Sequence, residues 1–282
     1  GVDHKLLEPW LAGKTFAEVH KQFDRDGYII FEKVMDDAEV QRYRDALAPW
    51  LGKNIQGRNN FEGYHTNRVY ALLAKEPVFA NMVTHPLALA FAEADLGTTC
   101  LLSALLAINL QPGETVQPWH HDDGNIFIPT PRESFGVSAF WTLDDTTAEN
   151  GATEIVPGSH KVSHAALAET MASVYQTGSR DPGADLHARS DAIKAVMPRG
   201  SLMLCKGTLL HRGGANRSNK ARMIVTPQYC PGWARQLENM IAAVPPEAAA
   251  KLPERTRQLI GYSIHGSFMG YVDGRHPQHL LS

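Results

Sequence analysis

Apolar residues in the first third of the chain recur at helical spacing. The segments 15–23 and 36–47 each begin with a capping box, a Thr or Asp followed three residues later by Glu, and each keeps apolar residues on one face. A further helical stretch spans 77–96, where Pro86 is expected to break or kink the helix. The short apolar run 28–31 predicts a strand. The region up to about residue 97 is therefore predicted to be mostly helical.

Beyond this region the apolar residues form short runs with Gly, Pro, Asn and Asp between them. Five of these runs predict strands: Leu101–Leu110, Val137–Leu143, Glu154–Val156, Ser201–Lys206 and Arg222–Tyr229. Short strands at this spacing are typical of a β-sandwich or barrel. The regular strand–helix alternation that a doubly wound parallel sheet requires does not occur here. We therefore predict a mostly β fold with flanking helices.

The same pattern predicts a single domain over 1–282. Its parts are expected to be a helical N-terminal region at about 1–97, a β core at about 98–232, and a C-terminal helix and tail at 233–282. Two further helices are predicted at 163–174 and 233–243, and the Ala- and Asp-rich stretch 176–192 is predicted to be a surface insertion.

Composition narrows the class of protein. Hydrophobic residues make up 43% and charged residues 20%, with a net charge of -3, so neither disorder nor a nucleic-acid partner is indicated. No run approaches the ~18 apolar residues of a membrane span, and no signal pattern opens the sequence. Three widely spaced cysteines, Cys100, Cys205 and Cys230, favour a reducing compartment. We expect a cytoplasmic protein that does not bind membranes; the sequence is compatible with a homodimer.

The densest chemical signal is the segment 117–124, QPWHHDDG. Its proline and glycine oppose a helix, and in an extended segment alternate side chains share a face. His120 with Asp122, or His121 with Asp123, could then present one nitrogen and one oxygen to a metal. With a second histidine this set suits non-haem Fe(II). The pattern alone is weak, and surface loop residues are the alternative.

A third ligand and a cationic partner lie further along the chain. His211 follows an apolar pair at the end of a predicted strand, and Arg222, eleven residues later, opens another strand. A buried arginine needs an anion, and its planar guanidinium matches a ligand carboxylate. Taken singly, His211 could be a satisfied core histidine and Arg222 a surface residue at a strand end.

Together these motifs resemble the phytanoyl-CoA dioxygenase (PhyH) family of Fe(II)/2-oxoglutarate oxygenases. The stretches NGAT at 150–153 and IVPGSH at 155–160 are similar to segments of that family, as are 61–68 and 270–277. The resemblance runs from about Phe16 to Pro277. It implies a double-stranded β-helix, that is, a jelly-roll core of cupin-like type.

The resemblance also assigns roles to individual residues. It implies iron ligation by His120, Asp122 and His211, because the family places its ligand histidine directly after an apolar residue, here Trp119. It implies that Arg222 pairs with the distal carboxylate of 2-oxoglutarate. Further positions match cosubstrate contacts (Gln117, Thr153) and the substrate side (Tyr64, Thr66, Arg68). Strict alternation puts Gln117 on the face opposite His120, so a kink at Pro118 is required.

The expected function is that of an Fe(II)- and 2-oxoglutarate-dependent dioxygenase with O2 as second cosubstrate. It would hydroxylate or otherwise oxidise an unactivated C–H bond of a small to medium, largely apolar molecule, releasing succinate and CO2. The presence of Asp122 favours oxygenation over halogenation, and the lack of a basic cluster argues against a CoA thioester. Two alternatives stay open: a cupin-like metal enzyme that does not use 2-oxoglutarate, and a non-catalytic ligand-binding protein of the same fold.

Overall fold

The structure is a computed structural model that describes residues 1–52, 56–171, 185 and 187–282. Its α-helices are α1 (Phe16–Asp26), α2 (Asp37–Leu51), α3 (Leu72–Lys75), α4 (Phe79–Val83), α5 (Pro86–Leu96), α6 (His164–Met171), α7 (Met240–Ala243), α8 (Pro246–Ala249) and α9 (Glu254–Ile260). Short 3-10 helices occupy His4–Trp10, Ser159–Lys161 and Pro277–Leu281.

The strands form two antiparallel sheets. They are β1 (Tyr28–Phe31), β2 (Thr66–Val69), β3 (Leu101–Leu110), β4 (Val137–Thr142), β5 (Glu154–Ile155), β6 (Ile193–Lys194), β7 (Leu202–Lys206), β8 (His211–Arg212) and β9 (Arg222–Cys230). The large sheet has the order β1-β7-β4-β9-β3-β2, and the small sheet has the order β6-β5-β8.

The predicted helix boundaries follow from local hydrogen bonding. Both capping boxes form, with Thr15 and Asp36 each bonded reciprocally to the glutamate three residues later. Gly27 ends α1 at φ 80, a left-handed conformation that glycine adopts without a steric penalty. Pro86 separates α4 from α5 and occupies the first turn of α5, where its missing N–H costs nothing.

The helices cover one face of the large sheet and leave the other face to line a cavity. Phe23 of α1 meets Phe91 of α5 edge to face, with ring centroids 5.2 Å apart. Along β9, Val225 joins the helix-covered core, whereas Ile224 belongs to a second apolar cluster on the other side of the sheet. The alternation of a β-strand thus divides β9 between a structural face and a cavity-lining face.

Three predictions about local structure need correction or fall outside the described residues. The helix predicted at 233–243 is wrong for its first part, and only α7 is helical. The backbone N–H groups of Leu237 and Glu238 donate instead to Ser103, so this segment runs along β3. The helix predicted at 163–174 is seen as α6, with 172–174 outside the described residues. Most of the predicted insertion 176–192 also lies outside them.

The H-x-D segment differs from its predicted form as well. Rather than belonging to a regular strand, His120 makes one isolated bridge, to His211, and Asp122 lies in the turn that follows. Within the described ranges, no helix has the length and apolar character needed to cross a membrane. The division into one domain and the oligomeric state stay predictions.

Candidate metal and cosubstrate site

Three predicted ligands converge at one end of the cavity between the sheets. His120 and His211 are joined by two backbone hydrogen bonds, which bring β8 beside the H-x-D segment. The Nε2 atoms of His120 and His211 lie 3.4 Å and 3.3 Å from Oδ1 of Asp122. Two imidazole nitrogens and one carboxylate oxygen on one face form the facial set that non-haem iron prefers.

Backbone carbonyls orient both imidazoles. Nδ1 of His120 lies 2.9 Å from the carbonyl of Pro118, and Nδ1 of His211 lies 3.0 Å from that of Leu209. A carbonyl oxygen can only accept, so each Nδ1 carries a proton and each Nε2 is the nitrogen left to bind a metal. The two histidines are therefore fixed in the orientation that a metal ligand needs.

The carboxylate is held in the same way. The Ser138 hydroxyl of β4 donates to Oδ2 of Asp122 over 2.5 Å, which leaves Oδ1 to face the imidazoles. Burial alone would raise the pKa of Asp122, but the charge of His211 and hydrogen bonds from both imidazoles outweigh it and hold the pKa well below its usual range. Burial acts to lower the pKa of His211 and Asp122 acts to raise it, and the pKa of His211 is raised on balance.

The alternative pair, His121 with Asp123, is engaged elsewhere. Nδ1 of His121 lies 2.7 Å from Nε2 of His164, with the two rings stacked at 4.7 Å. Oδ2 of Asp123 accepts from Arg132 over 2.8 Å. Both side chains therefore have partners other than the cluster of His120, Asp122 and His211.

A second group of potential ligands consists of His20, Asp24 and Asp95. There the Lys206 ammonium lies 2.7 Å from a carboxylate oxygen of Asp24 and 2.6 Å from one of Asp95. A lysine already supplies the positive charge at this position, so we interpret the group as a structural ion-pair network.

Arg222 lies in the cavity wall with only neutral partners for its guanidinium. It is 3% exposed and donates to the backbone carbonyls of Asn150 and Gly151. Within the described residues no carboxylate forms an ion pair with it; the charge of Asp144 acts from further away. Burial lowers the pKa of Arg222 to about 10. A buried cation without an anion beside an open cavity is suited to an anionic ligand.

The two predicted cosubstrate contacts both line this cavity, but one is already hydrogen-bonded. Oε1 of Gln117 accepts from the N–H of Gly213 over 2.9 Å, and Nε2 donates to the carbonyl of Phe61 over 2.8 Å. The Gln117 amide thus ties β8 to the loop that packs Phe61 against His120, with ring centroids 4.8 Å apart. Thr153 lines the cavity and is 7% exposed.

The residues predicted for the substrate side divide in two. Thr66 and Arg68 line the cavity, whereas Tyr64 is not among its described lining residues. Arg68 is 9% exposed and donates to the carbonyls of Phe61 and Glu62, so it holds the loop over the site. Thr66 donates from its hydroxyl to Glu114 over 2.8 Å.

The cavity has a volume of about 680 Å³. Its floor consists of alternate residues of two paired strands, Ala104, Leu106, Ile108 and Leu110 on β3 and Arg222, Ile224, Thr226 and Gln228 on β9. Phe140 and Met171 add further apolar wall. A cavity of this size suits a small organic molecule beside a bound cosubstrate.

Several site residues were not predicted from the sequence. Because side chains alternate along a strand, the position of Arg222 could have indicated Thr226 and Gln228, which lie on the same face of β9. Ser138 and Glu238 gave no such signal, because each reaches the site through partners more than a dozen residues away.

Comparisons with known proteins identify relatives of this chain. The phytanoyl-CoA dioxygenase (PhyH) family matches residues 23–224. Dioxygenase FUM3 of Gibberella moniliformis is 26% identical over 269 residues, covering 87% of this chain and 82% of that protein. Dioxygenase ALT11 of Alternaria alternata is 26% identical over 279 residues, covering 92% and 86%.

Solved structures show the same fold. HygX from Streptomyces hygroscopicus, solved with nickel and 2-oxoglutarate bound, superposes with a TM-score of 0.62 at 18% identity, covering 79% of this chain and 90% of that one. The non-haem carbocyclase SnoK of nogalamycin biosynthesis gives a TM-score of 0.58 at 20% identity, covering 78% and 85%. The predicted jelly-roll core with flanking helices is confirmed.

Proposed function

This chain belongs to the phytanoyl-CoA dioxygenase (PhyH) family, and on that premise we propose that His120, Asp122 and His211 bind its iron and that Arg222 binds 2-oxoglutarate. The enzyme is a non-haem iron dioxygenase that uses Fe(II), 2-oxoglutarate and O2. What we propose in addition is the role of each residue, the class of substrate and the oxidation of a C–H bond.

The observation that carries the proposal is the pairing of a complete donor set with an uncompensated buried cation in one cavity. Two Nε2 atoms and one carboxylate oxygen, all within 4.8 Å of one another, fit a divalent iron. In the lining of the same cavity, Arg222 fits the carboxylate of a dicarboxylic acid. A metal site alone would not account for the arginine.

When bound, ferrous iron with 2-oxoglutarate supplies dioxygen activation, which couples substrate oxidation to the formation of succinate and CO2. The chain's own residues would bind and orient the iron and 2-oxoglutarate, and they would exclude water from the site. Pro118 and Leu209 fix the ligand imidazoles, and Ser138 fixes Asp122. Thr153 and Gln117 are proposed cosubstrate neighbours; the amide of Gln117 acts by holding the loop at Phe61.

The proposed substrate is a small to medium, largely apolar molecule. Supporting this, leucine and isoleucine side chains form much of the β3 and β9 floor, and Phe140 and Phe61 flank the ligand histidines. Phe61 and the aliphatic floor keep water from the reacting carbon. The predicted contacts of Thr66 and Arg68 with substrate stay part of this proposal, while Tyr64 has no support from the cavity lining.

The two alternatives are less favoured. A cupin-like enzyme without 2-oxoglutarate would leave Arg222 buried and without an anion, which is costly. A non-catalytic binding protein would not need three oriented metal ligands. An acyl-CoA substrate has little support, because the described cavity lining offers no cluster of basic residues for its phosphates: Arg222 is assigned to 2-oxoglutarate, and Arg68 donates to the carbonyls of Phe61 and Glu62.

The proposal is tested by incubating the iron-loaded protein with 2-oxoglutarate, O2 and a panel of small apolar molecules. Succinate and the mass of each product are measured together. We expect succinate to rise with a product one oxygen heavier or two hydrogens lighter. Substrate oxidation that proceeds without 2-oxoglutarate would refute the use of that cosubstrate, and an Arg222→Ala variant with unchanged turnover would refute its assignment.

A further inference from the structure

One charged side chain of the cavity, Glu238, has no role in the site described so far. It lines the cavity at the β3 edge and lies outside the cluster of metal ligands. The segment before α7 places it there, because the N–H of Glu238 donates to the carbonyl of Ser103 over 2.8 Å. Oε1 of Glu238 accepts the N–H of Ala71 over 3.1 Å, and the carboxylate also accepts from the N–H of Leu105.

No basic side chain within residues 1–52, 56–171, 185 and 187–282 forms an ion pair with Glu238. The charge of Lys75 acts on it, but the Lys75 ammonium donates to the carbonyl of Tyr70 and lies over the Trp50 ring at 5.3 Å. A carboxylate has about four lone-pair sites, so two backbone N–H groups leave acceptor capacity unused. Burial raises the pKa of Glu238, and a ligand cation would offset that cost.

The strand register relates the position of Glu238 to that of the metal ligands. Ser138, Gln228 and Ala104 lie directly side by side on β4, β9 and β3. Ser138 is bonded to Asp122, and Ala104 lies between the two residues whose backbones contact Glu238. Since neighbouring strands are about 4.8 Å apart, the backbones of Ser138 and Ala104 are separated by about 10 Å, and Glu238 lies beside β3 at the Ala104 end of this row.

The floor between the two ends is suited to an uncharged molecular body. The small side chain of Ala104 leaves room above β3, and Leu106 continues the apolar surface. Gln228 adds one amide in the middle of the row. An amphipathic ligand would therefore place an apolar part near the metal ligands and a polar head at Glu238.

We propose that Glu238 is a specificity-determining residue that binds a protonated amine of the substrate, so that the enzyme oxidises an amphipathic amine at a carbon on the order of 10 Å from its nitrogen. This inference rests on the proposed function of the same cavity. An ammonium donates a charge-assisted hydrogen bond, roughly twice as strong as that of a neutral hydroxyl. A carboxylate head group would instead be repelled.

A matched ligand series tests the proposal by calorimetry on the protein loaded with Zn(II) and 2-oxoglutarate. Phenylbutylamine, phenylbutanol and phenylbutanoate share one apolar body and differ in their head groups. We expect phenylbutylamine to bind at least about tenfold more tightly than phenylbutanol or phenylbutanoate. Glu238→Gln should remove this preference, while the exposed Glu247→Gln should retain it.

Several results would overturn the amine site. These are equal affinity for amine and alcohol, a preference that survives in Glu238→Gln, or no amine binding by the wild-type protein. The wild-type comparison alone can refute the idea, so it does not depend on the variant folding. If Glu238 only bridged β3 and the Ala71 backbone, Glu238→Gln would leave the head-group preference unchanged.

Binding of 2-oxoglutarate is titrated first on the same Zn(II)-loaded protein, and Glu238→Gln should leave it unchanged. If 2-oxoglutarate does not bind to the Zn(II)-loaded wild-type protein, the proposed function is refuted. Intact 2-oxoglutarate binding without an amine preference would refute the amine site alone.

Discussion

Replacing Arg222 by alanine should weaken 2-oxoglutarate binding and leave the metal in place. The guanidinium is buried and, among the residues that the structure describes, hydrogen-bonds to the carbonyls of Asn150 and Gly151 and to no carboxylate, so the ligand would supply the anion in contact with it. The metal ligands use separate supports, from Pro118, Leu209 and Ser138, none of which contacts Arg222. The two affinities should therefore separate in this variant.

The size of the effect follows from the burial of the pair. Removing one partner of a buried, hydrogen-bonded charge pair costs about 2–5 kcal/mol. At about 1.4 kcal/mol per factor of ten, the dissociation constant should rise roughly 30-fold to several thousandfold. Arg222→Lys should give an intermediate loss, because an ammonium keeps the charge but not the planar fork that matches a carboxylate.

The assay is calorimetric titration of 2-oxoglutarate into Zn(II)-loaded protein, with Zn(II) affinity measured separately. Arg217→Ala is the matched control, since Arg217 lies five residues away on the surface. It should bind both ligands as the wild type does. An unchanged 2-oxoglutarate affinity in Arg222→Ala, or a parallel loss of Zn(II) affinity, would show that the reasoning about Arg222 is wrong.

Three further predictions test the surroundings of the site. His120→Ala should abolish Fe(II) binding measured by metal analysis and His121→Ala should retain it; the reverse pattern would shift the register by one residue. Ser138→Ala should weaken metal affinity about tenfold by freeing Asp122, and an unchanged affinity would remove Ser138 from that role. Asp95→Asn should lower the free energy of unfolding by about 3 kcal/mol at pH 7. Burial alone would raise the pKa of Asp95, but a neighbouring imidazole and ammonium outweigh it and lower the pKa. Its ionised form therefore stabilises the fold above the ordinary pKa of about 3.9, and denaturation below pH ~4 should show a shrinking difference between variant and wild type.

The features that could be predicted from the sequence are those set by neighbours along the chain. Capping boxes and Pro86 define helix ends through contacts within a few residues, and the structure has them where they were predicted. Alternation identified His120 with Asp122 as one pair, although the segment proved to be a bridge followed by a turn. The choice between the two pairs depended on family resemblance, because alternation permits either.

The features that could not be predicted depend on partners distant in sequence. The segment 233–239 has apolar spacing compatible with a helix, yet the N–H groups of Leu237 and Glu238 donate to Ser103 on β3. Glu238 enters the cavity for the same reason. The amide of Gln117 is held by Phe61 and Gly213, from two other elements of the fold, and no local pattern encodes that contact.

A crystal structure of the protein soaked with Mn(II) and 2-oxoglutarate would test the central claim most directly. We predict anomalous density between Nε2 of His120, Nε2 of His211 and the carboxylate of Asp122, with the distal carboxylate of 2-oxoglutarate at the guanidinium of Arg222. A metal bound instead at His20, Asp24 and Asp95, or a 2-oxoglutarate carboxylate away from Arg222, would contradict the account.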